Sequence, residues 1–162
     1  DGAFAGVEWF QITGITPAIS AAGAEASLAA VKHAKSRGLT VSCDLNFRKK
    51  LWRWDPGRKP VELARQTMRG RMPYIDVVIA NEEDADLALG IRAAGADVEA
   101  GHIDLTGYEG VAKQIVSEFP NVSKVAITLR ESHSASHNNW GALLYDAGEK
   151  KSFAAPKNAS GE

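Results

Sequence analysis

The sequence predicts an α/β fold in which a mostly parallel sheet carries helices on both faces and ends in an antiparallel hairpin. The first observation is the order of patterns along the chain, because segments rich in β-formers alternate four times with segments of helical periodicity. Strands and helices that alternate in this way form parallel sheets through crossover connections. The second observation is a turn at residues 146–149, which separates the last two β-type segments with no helix between them.

Each predicted element has its own signal in the sequence. Residues 9–15 are rich in β-branched and aromatic side chains, and Gly38 is placed to end the helix that follows them. A helical stripe begins at Pro60, and Asn81 is placed to cap a short acidic helix. A continuous apolar run at residues 125–129 is typical of a buried strand. The predicted strands cover residues 9–15, 39–43, 75–80, 125–129, 140–145 and 151–154, the predicted helices cover residues 20–37, 60–72, 81–90 and 106–119, and the predicted irregular segments are a loop at 91–105 and a fraying tail from 156.

Composition limits the classes of function. The 162 residues contain 44% apolar and 24% charged side chains and carry a net charge of −1, which is typical of a single globular domain. No overall field attracts nucleic acid or a membrane surface, and no apolar run approaches the roughly 20 residues of a membrane span. Cys43 is the only cysteine, so an internal disulfide is impossible, and we expect a reducing cytoplasmic location.

The most informative segment follows the second predicted strand. Asp44, Asn46 and Arg48 alternate, so an extended chain would place a carboxylate, an amide and a guanidinium on one face. The carboxyl ends of parallel strands open into the ligand crevice of α/β sheets. Arginine suits the geometry of a bound carboxylate or phosphate. The segment therefore predicts an anion site, the alternative being a strand end whose charges meet only water.

Three further strand ends belong to the same predicted edge, and each has a structural and a functional interpretation. Gly14 either lets a ligand approach the backbone or only permits a tight strand-to-helix turn. Asn81 and the acids Glu82, Glu83 and Asp84 either cap a helix and favour its dipole or organise magnesium through water. The segment 128–137 either donates hydrogen bonds to a nucleotide or is a flexible polar connection.

Two weaker patterns predict other partners. Residues 48–59 contain six cations with Trp52 and Trp54, a composition that binds single-stranded nucleic acid or steers anionic metabolites. The near-neutral total charge favours the metabolites. His133 and His137 are four residues apart, but they lie in a serine-rich loop without a third ligand, so a zinc site is not expected.

The sequence resembles the pfkB (ribokinase-like) carbohydrate kinases, and within them the 2-keto-3-deoxygluconate kinase branch. The D-x-N-F-R and N-E-E elements are fairly specific when they occur together in this order. The resemblance implies a single partial kinase domain over residues 1–162 with a three-layer α/β/α fold. It also implies transfer of the ATP γ-phosphate to a sugar acid, with Mg²⁺ as cofactor and a homo-oligomeric parent. The matching segments are residues 12–18, 41–48, 51–52, 79–83 and 125–132.

The resemblance also implies roles for individual residues. The positions matching Gly14 and Ile15 lie against the substrate, and the one matching Arg48 reaches both the substrate and the phosphates. The ATP and phosphate positions match Asn46, Arg48, Asn81, Thr128, Arg130, Ser132 and Ser134. The positions that help to hold magnesium through water match Glu82, Glu83 and Asp84.

The chain departs from the family pattern in four ways. Asp84 stands where the family's N-x-x-E pattern has glutamate, and the nucleotide segment lacks the usual glycine rhythm. The G-x-G-D element, whose aspartate is the catalytic base, is absent, as are the N-terminal sugar-binding strands and lid. We therefore expect a central fragment that is inactive alone. The alternative functions are a non-catalytic nucleotide- or sugar-acid-binding module and, less favoured, a nucleic-acid binder.

Overall fold

The computed structural model describes residues 2–92, 105–132, 138–155 and 158–160. One sheet dominates the fold, with the strand order β1-β2-β3-β4-β5-β6, and β7 pairs with β5. The strands are β1 (Trp9–Thr13), β2 (Thr40–Asp44), β3 (Val77–Ala80), β4 (Lys124–Ser132), β5 (Asn138–Asp146), β6 (Lys151–Ala154) and β7 (Asn158–Ser160). The helices are α1 (Ile15–Ile19), α2 (Ala21–Ser36), α3 (Pro60–Arg69), α4 (Glu82–Asp84) and α5 (Leu105–Glu118), with short 3₁₀ helices at Gly2–Phe4 and Met72–Tyr74 and a π-helical turn at Ala85–Leu89.

The sheet topology confirms the predicted fold class. Strands β1 to β4 are parallel to one another, and β5 and β6 add an antiparallel hairpin. Three predicted boundaries are wrong. Strand β1 ends at Thr13, where the separate helix α1 soon begins; β4 continues to Ser132 because it pairs with β5 along its whole length; and Asn158–Ser160 pairs with β5 although a fraying tail was expected.

Local signals explain the ends of the helices. The Ser20 hydroxyl accepts the Gly23 N–H at 3.0 Å and caps α2. Gly38 follows that helix with a φ of +77°, a conformation that glycine adopts without steric cost. Gly90, with the same φ, follows the Ala85–Leu89 turn.

The two faces of the sheet differ in burial. One face is almost completely buried, and its central row runs across five strands as Ile12, Cys43, Val78, Val125 and Tyr145. On the opposite face the corresponding row is half-buried to exposed and consists of Thr13, Asp44, Ile79, Ala126, Leu144 and Phe153. The hydrophobic core therefore lies on the face that Cys43 shares.

Helical contacts lie on the same buried face. In α2, the His33 ring stacks edge-on against Phe4, which in turn contacts Phe10 of the buried face. Helix α5 packs against β4 and β5 and adds Val111, Ala112 and Ile115 to the core. Two layers of the predicted α/β/α arrangement, the sheet and one helical layer, are thus formed by the described residues. None of the helices in this part of the chain is both long and apolar enough to cross a bilayer.

Candidate functional site

The carboxyl ends of four parallel strands meet at one edge of the sheet. Strands β1 and β2 reach this edge together, where Thr13 is the register partner of Asp44. The turn after β3 lies beside them, and the Thr128 hydroxyl of β4 is 3.5 Å from the Ala80 carbonyl oxygen. The structure therefore brings the predicted strand-end segments together, as expected for a parallel sheet.

The chain leaves β2 in a conformation that the sequence pattern did not predict. Strand β2 ends at Asp44, and Asn46 has a φ of +37°, in the left-handed region that non-glycine residues adopt rarely. The strand therefore ends close to its predicted limit at residue 43, and the extended chain that would place Asp44, Asn46 and Arg48 on one face is not formed. Burial nevertheless alternates, because Asp44 and Asn46 are half-buried, Leu45 and Phe47 are buried and Arg48 is exposed. Backbone strain of this kind concentrates at functional sites.

Hydrogen bonds from two neighbouring strand ends hold this segment. The Leu45 N–H donates to the Ile79 carbonyl of β3 at 2.9 Å. The Asn46 amide donates to the Thr13 hydroxyl of β1 at 3.3 Å. These contacts hold Asn46 in its left-handed conformation, which a non-glycine residue keeps only when the surrounding structure stabilises it.

Gly14 is required by the close approach of two backbones. Its N–H donates to the Asp44 carbonyl at 2.8 Å, and a Cβ at this position would lie 2.0 Å from the Leu45 carbonyl oxygen. Any side chain would therefore collide with rigid backbone. The structural interpretation, in which Gly14 permits a tight strand-to-helix turn, is therefore sufficient to explain why a glycine stands here. Ile15, which begins α1 directly after it, is half-buried.

The Asn81–Asp84 turn combines capping with a link to β2. The Asn81 carboxamide oxygen accepts the Asp84 N–H at 2.7 Å, and Asp84 Oδ2 lies 3.4 Å from the Asn81 nitrogen. This reciprocal pair is a capping box. Asp84 Oδ1 also accepts the Phe47 N–H at 2.8 Å. Glu83 is exposed, and the backbone of Glu82 opens α4.

Burial and like charge act on the two aspartates of this edge. Burial raises the pKa of Asp44, and the Asn46 N–H and the Arg48 guanidinium partly oppose that rise. Burial also raises the pKa of Asp84, which the nearby Asp44 charge raises further, while the Phe47 and Asn81 amides lower it. Two acids with raised pKa values beside one guanidinium are typical of functional sites.

Arg48 presents its guanidinium at the surface of this edge. The residue is exposed, and its Nη1 donates to the Phe47 carbonyl at 3.0 Å. Lys49 and Lys50 follow it and are exposed as well. The guanidinium has further N–H donors for an incoming anion, since five are present on each arginine.

The two tryptophans of the basic segment are built into the fold. Trp52 is 1% exposed, and the half-buried Trp54 donates its indole N–H to the Pro17 carbonyl at 3.1 Å. Stacking of nucleic-acid bases needs open aromatic faces. This arrangement favours the interpretation in which the cations steer small anions.

The predicted nucleotide segment is partly a strand. Thr128 is exposed on β4, and the backbone of Arg130 and Ser132 continues the same strand, so the expected loop begins later than predicted. Ser134 and the pair His133 and His137 lie outside the described residues.

Comparisons with known proteins give the edge a context. No family model matches the sequence. The crystal structure of 2-dehydro-3-deoxygluconokinase from Thermotoga maritima superposes with a TM-score of 0.82 at 34% identity, covering 98% of this chain and 43% of that one. A PfkB family carbohydrate kinase from Listeria grayi superposes with a TM-score of 0.76 at 23% identity, covering 98% and 42%.

The structure is similar to one part of these kinases, and its structural neighbours are PfkB-family carbohydrate kinases. The resemblance stated from the sequence is thereby confirmed. A curated 2-dehydro-3-deoxygalactonokinase from Haloferax volcanii is 36% identical over 75 residues, which are 46% of this chain and 21% of that protein. The chain spans less than half the length of each of these sugar kinases.

The sequence pattern did not predict one residue of the site or one contact of another. Thr13 was not singled out, although its hydroxyl accepts both the Asn46 amide and, at 3.4 Å, the Ile15 N–H. Asp84 was predicted to organise metal, and its link to Phe47 was not foreseen. The N-x-x-D spacing of a capping box was the available signal for its inward orientation.

Proposed function

We propose that this chain is the phosphate-positioning part of an ATP-dependent kinase that phosphorylates 2-keto-3-deoxygluconate or a related sugar acid. The supporting observation is the convergence of Arg48, Asn46 and the Asn81–Asp84 turn at one sheet edge, together with the likeness to sugar kinases. Phosphoryl transfer depends mainly on positioning and charge neutralisation, so a guanidinium held on a strained, well-tied segment suits that task.

Each residue of the edge has a distinct part in this proposal. Arg48 neutralises charge on the transferring phosphoryl group and on the acid group of the sugar. Asn46 orients the same group through a hydrogen bond, and Gly14 and Ile15 form the floor next to the sugar. On the nucleotide side, the ATP phosphates and base contact Asn81, Thr128, Arg130, Ser132 and Ser134.

Magnesium enters this proposal as part of the ATP substrate complex and neutralises phosphate charge. Among the described residues, no group of three or more acid, histidine or cysteine side chains could hold a metal directly. Both Asp84 oxygens face backbone amides. The donor chemistry therefore suits a hydrated ion held through water by the carboxylates of Glu82 and Glu83.

We propose that the 162-residue polypeptide alone does not turn over. The sequence contains no G-x-G-D element to provide the base. Asp44 is the acid at the right edge, but it accepts the Asn46 N–H and is half-buried, which suits the orientation of its own segment.

The test compares this polypeptide with a full-length kinase that contains it. ADP release is measured with 2-keto-3-deoxygluconate, its galactose-derived epimer, fructose and ribose, against a no-protein control. We expect turnover of the two sugar acids by the longer protein only. Turnover by the 162-residue chain would overturn the inactivity proposal. ATP binding by the longer protein without turnover of any sugar would favour a binding module.

A further inference from the structure

The carboxylate of Asp84 is directed into the protein. The residue is 6% exposed, and its Oδ1 accepts the Phe47 N–H at 2.8 Å. Its Oδ2 faces the Asn81 N–H, and its own N–H is held by the Asn81 carboxamide. Two of the roughly four lone-pair sites of this carboxylate face backbone amides, and at 6% exposure the residue offers little of the remainder to a ligand outside the protein.

The amide that Asp84 binds immediately precedes Arg48. The chain has already left the regular strand at this point, since β2 ends at Asp44 and Asn46 has a positive φ. The bond from Phe47 to Asp84 is an anchor that reaches the peptide next to the guanidinium-bearing residue. The Arg48 side chain then folds back to the carbonyl of that same Phe47. Moving Phe47 would therefore move Arg48 both through the chain and through this contact.

We propose that Asp84 is a positioning residue, which holds Arg48 at the phosphate-binding edge through the Phe47 amide, and that it does not organise the metal. This inference rests on the proposed function of Arg48. It replaces the metal role that the sequence pattern implied for Asp84 and leaves that role to Glu82 and Glu83.

Two substitutions separate the positioning role from a metal role. Asp84→Asn keeps an oxygen that accepts the Phe47 N–H and removes the charge that a hydrated cation needs. Asp84→Ala removes the acceptor as well. A positioning residue tolerates the asparagine and not the alanine, whereas a magnesium-organising residue tolerates neither.

The experiment measures ATP affinity by calorimetry on a full-length kinase that contains this chain, with and without magnesium. We expect Asp84→Ala to weaken metal-free ATP binding about tenfold, the usual scale for a lost hydrogen bond to a charged group. We expect Asp84→Asn to remain within about threefold of the parent by the same reasoning. In an Arg48→Ala background the effect of Asp84→Ala should disappear, because it acts through that guanidinium.

Three outcomes would overturn the proposal. Equal losses for both Asp84 variants, seen only with magnesium, would assign Asp84 to the metal. An undiminished loss in the Arg48→Ala background would show that Asp84 acts independently of Arg48. Unchanged metal-free affinity in a folded Asp84→Ala variant would exclude positioning. A failure of the proposed function is distinguishable, because it would abolish sugar-acid turnover in the parent without affecting these ATP affinities.

Asp76→Ala is the matched control for loss of fold. Asp76 accepts the Val41 N–H at 2.8 Å, so it too binds a backbone amide through a carboxylate, but near the amino end of β2 and away from the edge that carries Arg48. We expect this variant to lower the thermal midpoint and to leave the ATP affinity of the folded protein unchanged.

Discussion

The two ends of strand β2 are each held by an aspartate, and the surroundings of the two carboxylates differ. At the amino end, Asp76 accepts the Val41 N–H and forms an ion pair with Lys35 at 2.7 Å. Its carbonyl oxygen also accepts the Ser123 N–H, at 2.8 Å, just before β4. This end joins a helix and two strands with its charges paired, as expected where stability alone is required.

The carboxyl end has the same kind of anchor but an unequal set of charges. Asp84 accepts the Phe47 N–H at 2.8 Å, and the charges near it are the Asp44 carboxylate and the exposed Arg48 guanidinium. Like charge and burial raise the pKa of Asp84 there. The comparison teaches that the same contact, a carboxylate that accepts a backbone N–H, occurs among paired charges at one end of β2 and beside an exposed guanidinium at the other.

The largest expected effect is loss of the guanidinium at the carboxyl end. In a full-length kinase that contains this chain, Arg48→Ala should lower kcat/KM about 10²- to 10³-fold, the scale for losing a donor to a developing charge. Lys49→Ala, one residue further along the exposed segment, should cost far less. Equal losses in steady-state assays of the two variants would mean that Arg48 only belongs to a solvated basic patch.

The second effect concerns the backbone contact beneath the same edge. Gly14→Ala places a Cβ 2.0 Å from the Leu45 carbonyl oxygen, so the free energy of unfolding should fall by about 2–3 kcal/mol. Gly110→Ala is the control, because nothing lies within 4 Å of its Cβ position in α5. That exchange should stabilise by up to about 1 kcal/mol. Denaturant titration measures both, and a neutral Gly14→Ala would show that the two strand ends are not in close contact.

The third effect belongs to the amino end. Asp76→Ala leaves the buried Val41 N–H without its acceptor and should lower the free energy of unfolding by about 1–2 kcal/mol. Asp76→Asn keeps an acceptor oxygen and should cost less. Thermal melts of the two variants test this order, and equal losses would mean that the ion pair with Lys35, which both variants lack, carries the stability.

The sequence predicted the elements of this fold better than the connections between them. Hydrophobic periodicity and turn residues are local signals, so the parallel strands and the hairpin at residues 146–149 were predictable. The polar residues 130–132 gave a loop pattern, and only pairing with residues 138–140 makes them a strand. A long-range partner overrides a weak local preference there.

The candidate site shows the same limit. The shared edge followed from parallel topology alone. The left-handed Asn46 and the link from Phe47 to Asp84 did not, because each depends on contacts between residues more than 30 positions apart. Alternation along the sequence indicated that Asp44 and Asn46 share a side, but it contained no signal for the left-handed turn of the backbone at Asn46.

The smallest effect tests the electrostatic half of the comparison. Because burial raises the folded-state pKa of Asp44 above 3.8, its ionised form costs folding free energy at neutral pH. The stability contribution of this group is complete below pH 3.8 and is lost as the pH rises through the folded-state pKa.

Asp44→Asn removes the charge, so the thermal midpoint at neutral pH should rise, and the gain should shrink as the pH falls toward 3.8. The same exchange at Asp76, which loses an ion pair, should lower the midpoint at neutral pH. If both exchanges shifted the midpoint in the same direction, the two ends of β2 would not differ in how they hold charge.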